Sequence, residues 1–414
     1  MKKGMSKVLS VLLIAVLVFT SGTAVFADTE QGQMVEEKTT VEKAAPAQEL
    51  KAAGALEAAL EKGAQTKAVG KFILNTITES TKLDSLKSST IVYGIGDTLK
   101  ENQKGYSQAV KLPARGVIIM EAQLGMPASG SGSVTFGLYK DSALTNKVDF
   151  EGSVSPSTKE ADKVIQVAKA GTYYLGVQSR ITEYSSTKNY AVAIRATYAN
   201  GADRTITCGK PTLVGHADPQ TTYLKVKAKN TGYMKVSVSD TYEYATNYIT
   251  LCNNKKKVLS TETSSKTGNA VFGVKKGTTY YIKIKSNNSK IGYILKASNT
   301  KVTEKSGKTK SRAVTLAKKK TKKGVIQAGS GQADWYKFRL TGKKTVRLTI
   351  KGGTNNGLSV KVYKGGRSIG NGTFRYYNKS LTLKSLGKLT SGTYYIKVSR
   401  ADKKSSGYYS LSWK

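Results

Sequence analysis

From about Ser88 onward the chain alternates apolar with polar residues in short runs, each closed by a cluster of Gly, Asn, Ser or Lys. Successive side chains of a strand point to opposite faces, so a period of two predicts half-buried strands, and the clusters predict the turns between them. One group of runs recurs three times. Ala170-Gly171-Thr172-Tyr173-Tyr174-Leu175-Gly176-Val177 is matched by Gly277-Thr278-Thr279-Tyr280-Tyr281-Ile282-Lys283-Ile284 and by Ser391-Gly392-Thr393-Tyr394-Tyr395-Ile396-Lys397-Val398, which spaces the first tyrosines by 107 and 114 residues. A closing strand follows each copy, at Tyr190-Ala191-Val192, Tyr293-Ile294-Leu295 and Tyr408-Tyr409-Ser410-Leu411. A central strand precedes each, ending at Tyr139, Cys252 and Tyr363. An aromatic residue leads the opening strand, at Tyr106, at Tyr223 and at Trp335-Tyr336-Lys337-Phe338.

A unit of about 100 residues with about seven short strands has the size of an antiparallel β-sandwich. The predicted fold class is all-β: three tandem antiparallel β-sandwiches, jelly-roll-like, over residues 88–198, 199–300 and 301–414. Ahead of them, residues 28–87 are expected to be a linker with a short helix over 47–64, too poor in large apolar residues to dock. Within the Tyr-Tyr strand, alternation turns the first tyrosine to the core and the second to solvent.

The Trp-Tyr-x-Phe opening strand of the third unit, its central Val360-Lys361-Val362-Tyr363, then Gly392-Thr393-Tyr394-Tyr395-Ile396-Lys397-Val398 and Gly407-Tyr408-Tyr409-Ser410-Leu411, resemble the bacterial pre-peptidase C-terminal domain. The resemblance is best in the third unit and loosest in the first, and spans roughly residues 88–414. It implies jelly-roll-like sandwiches of the kind appended to secreted proteases, acting as binding or targeting modules, although no peptidase domain stands beside them here. Some relatives bind calcium through clustered acids. The third unit's two aspartates, Asp334 and Asp402, are too few for such a site.

Lys2, Lys3 and Lys7 precede an apolar run from Val8 to Phe19 and a small-residue stretch ending Val25-Phe26-Ala27. That pattern predicts a signal peptide over residues 1–27, hence a secreted protein with no integral membrane anchor. The net charge of +40 rises along the chain: residues 301–414 hold 28 Lys and Arg against 3 Asp and Glu, giving +25, residues 199–300 give +11 and residues 1–198 give +4. Self-repulsion on that scale opposes folding, and solubility needs far less charge, so an anionic partner is expected at the C-terminal unit. Lys predominates over Arg, which suits diffuse attraction more than forked recognition. In an exported protein, teichoic acid, acidic polysaccharide and lipid headgroups are nearer than nucleic acid.

The candidate anion-binding residues are Lys318, Lys319, Lys320, Lys322, Lys323, Lys337, Arg339, Lys343, Lys344 and Arg347. Trp335, Tyr281 and Tyr395 are candidates for stacking on sugars, although cross-strand packing explains aromatic strands as well. Cys208 and Cys252 permit a disulfide, which by closing a loop of about 45 residues would stabilise by about 4 kcal/mol. Against it, Cys252 aligns with Tyr139 and Tyr363 and fits a small apolar role. His216 beside Asp218 reads as a histidine in a turn, and Tyr93-Gly94-Ile95-Gly96-Asp97, lacking a third glycine, as another turn.

One His, two Cys and 27 acids leave few groups for acid–base or nucleophilic work, so no catalytic residue, cofactor or metal is assigned. The expectation is a non-catalytic binding protein of the cell envelope. Two rivals stand beside it: a polysaccharide-active enzyme using carboxylates such as Asp203, Asp240, Glu243 and Glu262, or an accessory or targeting subunit for another secreted protein, a protease.

Overall fold

The computed structural model describes residues 34–37, 72–74, 90–95, 106–126, 131–180, 191–217, 221–240, 246–260, 262–265, 269–287, 290–378 and 380–414. All lie within one compact unit, Gly32–Lys414. The expected signal peptide and the helix over 47–64 fall outside the described residues. Among those described, the regular structure is entirely strand.

The strands in chain order begin with β1 (Met34–Glu37), which belongs to the third sandwich. The first sandwich comprises β2 (Phe72–Leu74), β3 (Thr90–Ile95), β4 (Tyr106–Leu112), β5 (Gly116–Met126), β6 (Ser133–Tyr139), β7 (Gly152–Val154), β8 (Glu160–Val167), β9 (Gly171–Arg180) and β10 (Ala191–Asn200). The second comprises β11 (Arg204–Thr205), β12 (Pro211–Ala217), β13 (Thr222–Lys227), β14 (Gly232–Asp240), β15 (Asn247–Cys252), β16 (Thr263–Ser265), β17 (Asn269–Val274), β18 (Thr279–Ser286) and β19 (Lys290–Lys301). The third comprises β20 (Val314–Thr315), β21 (Thr321–Ile326), β22 (Asp334–Leu340), β23 (Arg347–Thr354), β24 (Gly357–Lys364), β25 (Arg367–Arg375), β26 (Ser380–Ser385), β27 (Gly392–Arg400) and β28 (Gly407–Trp413).

The second sandwich packs a sheet ordered β11-β13-β18-β15-β16 on one ordered β12-β19-β14-β17. The third repeats that order as β20-β22-β27-β24-β25 and β26-β23-β28-β21, but β1 lies between β25 and β26 and joins the two into one ten-stranded sheet. In the first, β2-β3-β10-β5-β8 lies over β4-β9-β6-β7. Neighbouring strands run antiparallel except for three short pairs, β1 with β25, β11 with β13 and β20 with β22. Register confirms the repeat: Tyr139 lies opposite Tyr174, Cys252 opposite Tyr281 and Tyr363 opposite Tyr395.

Alternation drives each core. In β22, Tyr336, Phe338 and Leu340 are buried while Trp335, Lys337 and Arg339 face outward. Each inward aromatic or Leu side chain contributes about 1.5–3 kcal/mol by leaving water. Tyr173, Tyr280 and Tyr394 are buried and Tyr174, Tyr281 and Tyr395 half-buried, as the period of two requires.

The sandwiches meet through close backbone contacts. A small apolar cluster of Val117, Ile119, Ala199 and Leu213 joins the first to the second, where a Cβ on Gly215 would sit 2.1 Å from the Ala199 carbonyl oxygen. Between the second and third, a Cβ on Gly273 would sit 2.1 Å from the Ile326 carbonyl oxygen, and Tyr233 stacks on Tyr408 at 3.8 Å.

Three expectations are corrected. β1 and β2 lie in the stretch expected to be linker. Tyr93, Gly94 and Ile95 extend β3, whose backbone pairs with β2 and β10, so they are strand and not turn. His216 is buried within β12, where its Nε2 accepts the Ser286 backbone N–H at 3.1 Å.

Candidate anion-binding face

The sheet order of the third sandwich sets β22, β27 and β24 side by side, and alternation decides which side chains share their outer face. Two rows cross it. Lys361, Lys397 and Trp335 lie directly opposite one another in one row, and Tyr363, Tyr395 and Lys337 in the next. All six are half-buried or exposed. Trp335 packs against Tyr363 with ring centroids 5.7 Å apart, Lys397 holds its ammonium 5.5 Å from the Trp335 ring and Lys310 reaches to 5.1 Å from the Tyr395 ring. Lysines directly opposite across a strand pair repel. Among the described residues no carboxylate pairs with Lys337, Lys361 or Lys397, so the face combines an aromatic platform with cations that lack an internal counter-charge.

The second sandwich carries a related face. Lys225 lies opposite Tyr281, Tyr223 opposite Lys283, and Tyr248 opposite Lys285. Lys256 sits 4.4 Å from the Tyr223 ring and 5.6 Å from that of Tyr281, and pairs with Asp203 at 2.8 Å, a hydrogen bond that raises its pKa. The first sandwich departs from the plan. Tyr139, in the place of Tyr363, is buried and donates its hydroxyl to Glu151, whose other oxygen takes Lys147 at 2.6 Å and Arg180 at 3.3 Å. Burial and the neighbouring carboxylate push the Tyr139 hydroxyl well above its ordinary value. Burial also raises the Glu151 carboxyl, but the hydrogen bonds from Lys147 and Tyr139 outweigh it and leave the group low. The places of Lys361, Lys397 and Lys337 are taken there by Gly137, Gly176 and Ala109, so the first sandwich lacks the row of cations that crosses the third.

The ten basic residues read from the sequence do not gather on this face. Lys337 and Arg339 do, on β22. Lys318, Lys319 and Lys320 occupy the turn into β21, and Lys322 and Lys323 lie on β21 at the far edge of the other half of the sheet. Lys343 and Lys344 lie between β22 and β23, and Arg347 opens β23. Of the sugar-stacking candidates, Trp335 and Tyr395 share the third-sandwich face and Tyr281 holds the matching place in the second. Sequence inspection missed the parts played by Tyr363, Lys397 and Lys310. The signal available was the repeat itself, which places Tyr363 opposite Tyr395 once the strands are aligned.

Asp334 does not meet Asp402. It is buried at the start of β22, with a side chain 1% exposed. Its Oδ1 accepts from Ser306 Oγ and Lys308 Nζ, both at 2.9 Å, and its Oδ2 from the Tyr409 hydroxyl at 2.6 Å, which also lies 2.9 Å from that of Tyr336. Lys308 also pairs with Glu304. Burial, with the Glu304 charge beside it, pushes the Asp334 carboxyl up to about 6. For Glu304 burial acts in the same direction, but the hydrogen bonds from Lys308 and Ser306 outweigh it and leave it below the usual range. Asp402, exposed, instead takes hydrogen bonds from Asn356 and the Lys404 backbone. These donors make Asp334 part of the scaffold behind the face.

The disulfide that Cys208 and Cys252 would permit is not formed: both are free thiols. Cys252 is fully buried beside Tyr281, and burial raises both thiols above their ordinary range. Of the carboxylates considered for an enzyme, Asp203 is held by Lys256 and by the Tyr223 backbone N–H, and Glu262 is exposed; Glu243 lies outside the described residues.

No protein-family model matches the chain, and no curated protein matches it. Among solved structures, it is similar to the M60 catalytic domain with two CBM51 domains of a Clostridium perfringens protein, at 10% identity and a TM-score of 0.18 over 83% of this chain and 37% of that one. It is also similar to the N-terminal tandem CBM22 domains of a Paenibacillus barcinonensis protein, at 6% identity and 0.17, over 56% and 89%, and to tripeptidyl peptidase 2, at 8% identity and 0.22, over 78% and 26%. The chain thus spans well under half the length of the first and last of these. At this level of likeness nothing about function follows, and the sandwich architecture is read from the sheets themselves.

Proposed function

We propose that this chain is a non-catalytic binding protein that attaches to anionic polymers of the cell envelope, teichoic acid or acidic polysaccharide, through the outer face of β22, β27 and β24. The observation that carries the reading is Lys361 directly opposite Lys397 beside Trp335, with no carboxylate among the described residues to relieve the repulsion. A polymer that brings regularly spaced negative charge relieves it, and a sugar ring stacks on Trp335 with the tilted Tyr363 ring beside it. Folding tolerates the repulsion because the inward side of the same strands is densely apolar, with Tyr336, Phe338, Tyr394 and Ile396 behind the face. The expected signal peptide supports an extracellular site of action.

The test is a titration of the chain from residue 28 to 414 with wall teichoic acid and with an uncharged glucan. The reading expects binding to the first, weakened by salt as screening requires, and about tenfold weaker binding for Trp335→Ala, the loss of about 1.4 kcal/mol typical of an aromatic anchor. Equal binding to both polymers, or a Trp335→Ala variant that binds as the wild type does, would refute it.

A further inference from the structure

The third sandwich has a second broad face, the outer side of β26, β23, β28 and β21. It points away from the face of β22, β27 and β24, because Ile350, Leu383 and Leu411 of these strands pack inward against Phe338 and Ile396 of the other half. Register sorts its outward side chains into rows. Thr382, Thr349, Ser412 and Thr321 lie opposite one another across all four strands, with the Thr382 and Thr349 hydroxyls 3.4 Å apart. On one side of this hydroxyl row run Ser380, Lys351, Ser410 and Lys323, and on the other Lys384 lies opposite Arg347.

Lys323, Lys351 and Lys384 are exposed, and among the described residues none of the three has a carboxylate partner. Of the three acids in residues 301–414, Glu304 and Asp334 pair with Lys308, and Asp402 lies in the loop between β27 and β28. The junction with the second sandwich takes up only the next row, where Gly353 pairs with Tyr408 and Tyr233 stacks on that ring. The matching face of the second sandwich is taken at both ends: Leu213 and Ile294 meet the first sandwich, and Gly273 and Tyr233 meet the third.

The chemistry of this face differs from that around Trp335. Its lysine and hydroxyl rows hold no aromatic ring, so a sugar has nothing to stack on. Every group in them can donate a hydrogen bond, and the acceptor that ammonium and hydroxyl groups suit jointly is a phosphate oxygen. Along β23, Arg347 and Lys351 stand four residues apart, about 13 Å, with Thr349 midway. Phosphates strung along a flexible polyol backbone meet a donor at each step.

We propose that the outer face of β26, β23, β28 and β21 is a second polymer-binding site, which takes the phosphates of a second chain, so that one copy of this protein cross-links two polymer chains. The two sheets of a sandwich stand about 10 Å apart and turn their outer faces in opposite directions, so one straight run of polymer does not lie on both. The inference rests on the proposed function of the face around Trp335 and adds a cross-linking role to it.

The test captures the chain from residue 28 to 414 on immobilised wall teichoic acid, washes it, and offers the same polymer in solution carrying a fluorescent label. The wild type should retain the label. A variant with Lys323, Lys351 and Lys384 all changed to Ser, and one with Lys337, Lys361 and Lys397 all changed to Ser, should each stay captured through the remaining face and retain about tenfold less label. A wild-type chain that is captured but retains no label overturns the second site and leaves the proposed function standing. So does a variant at Lys323, Lys351 and Lys384 that retains as much label as the wild type. A wild-type chain that is not captured at all refutes the proposed function and the inference with it. Should that variant fail to fold by tryptophan emission, Lys351→Glu alone takes its place, and the same comparison of retained label decides.

Discussion

Replacing Asp334 by Asn should remove a pH dependence that the wild-type third sandwich carries. The Asp334 carboxyl is buried with Glu304 nearby and is pushed from an ordinary 3.8 up to about 6. A folded pKa above the unfolded one means that the folded state prefers the protonated acid. The associated stability is therefore full below about 3.8 and lost as pH rises through about 6. A gap of about two pKa units corresponds to about 3 kcal/mol. Glu304 acts with the opposite sign: its pKa is lowered, so its contribution is present above 4.5 and lost as pH falls through the folded value. Because a hydrogen bond with Asp334 helps to hold Glu304 low, the substitution weakens this contribution as well, and the difference between the two proteins reports the pair. Asn keeps the Oδ1 acceptor for Ser306 and Lys308, and the Tyr409 hydroxyl can turn from donating to accepting. Both tryptophans of the chain, Trp335 and Trp413, lie in the third sandwich, so their emission during urea unfolding reports this sandwich alone. Between pH 4.5 and 7 the wild type should lose about 2 kcal/mol relative to the Asn variant. Parallel pH profiles for the two proteins would show that Asp334 ionises at its ordinary value and that the burial argument is wrong.

Tyr409→Phe deprives Asp334 Oδ2 of its donor and the Tyr336 hydroxyl of its partner, and should cost about 1–3 kcal/mol at pH 7, read as a lower urea midpoint. Gly273→Ala forces a methyl against the Ile326 carbonyl and should destabilise by about 1–3 kcal/mol; a thermal scan that shows no shift would mean the junction yields freely. The free thiols make a further check: without reductant, the denatured chain should react with two equivalents of a thiol reagent and the native chain only slowly, since Cys252 is buried and both thiols are raised. No reaction after denaturation would restore the disulfide.

The period of two carried most of the fold because each strand buries one face, so the tyrosine pairs, the repeat and the inward residues of β22 could be read directly. What failed depended on partners far along the chain. β1 is too short to show alternation, and only a seam more than 300 residues away makes it a strand. His216 stands beside glycine and near proline and aspartate, which suggested a turn, yet Gly215 serves there for close backbone approach at a junction. Basic residues adjacent in sequence, such as Lys318 to Lys323, stay together on the turn into β21 and its first residues, away from the face of β22, β27 and β24. Lys361, Lys397 and Trp335 come together instead through sheet order, which brings β24 and β22 to either side of β27. Tyr93 to Ile95 looked like a turn because glycine is rare within strands.

The most direct test of the central claim compares the salt dependence of teichoic acid binding in the wild type and in a variant with Lys337, Lys361 and Lys397 all changed to Ser. If these lysines meet phosphates, the slope of log affinity against log salt should fall in magnitude by roughly 2–3, about one for each neutralised charge, while the urea midpoint stays the same or rises as the repulsion is relieved. An unchanged slope, with the variant folded, would place the binding elsewhere and contradict the account.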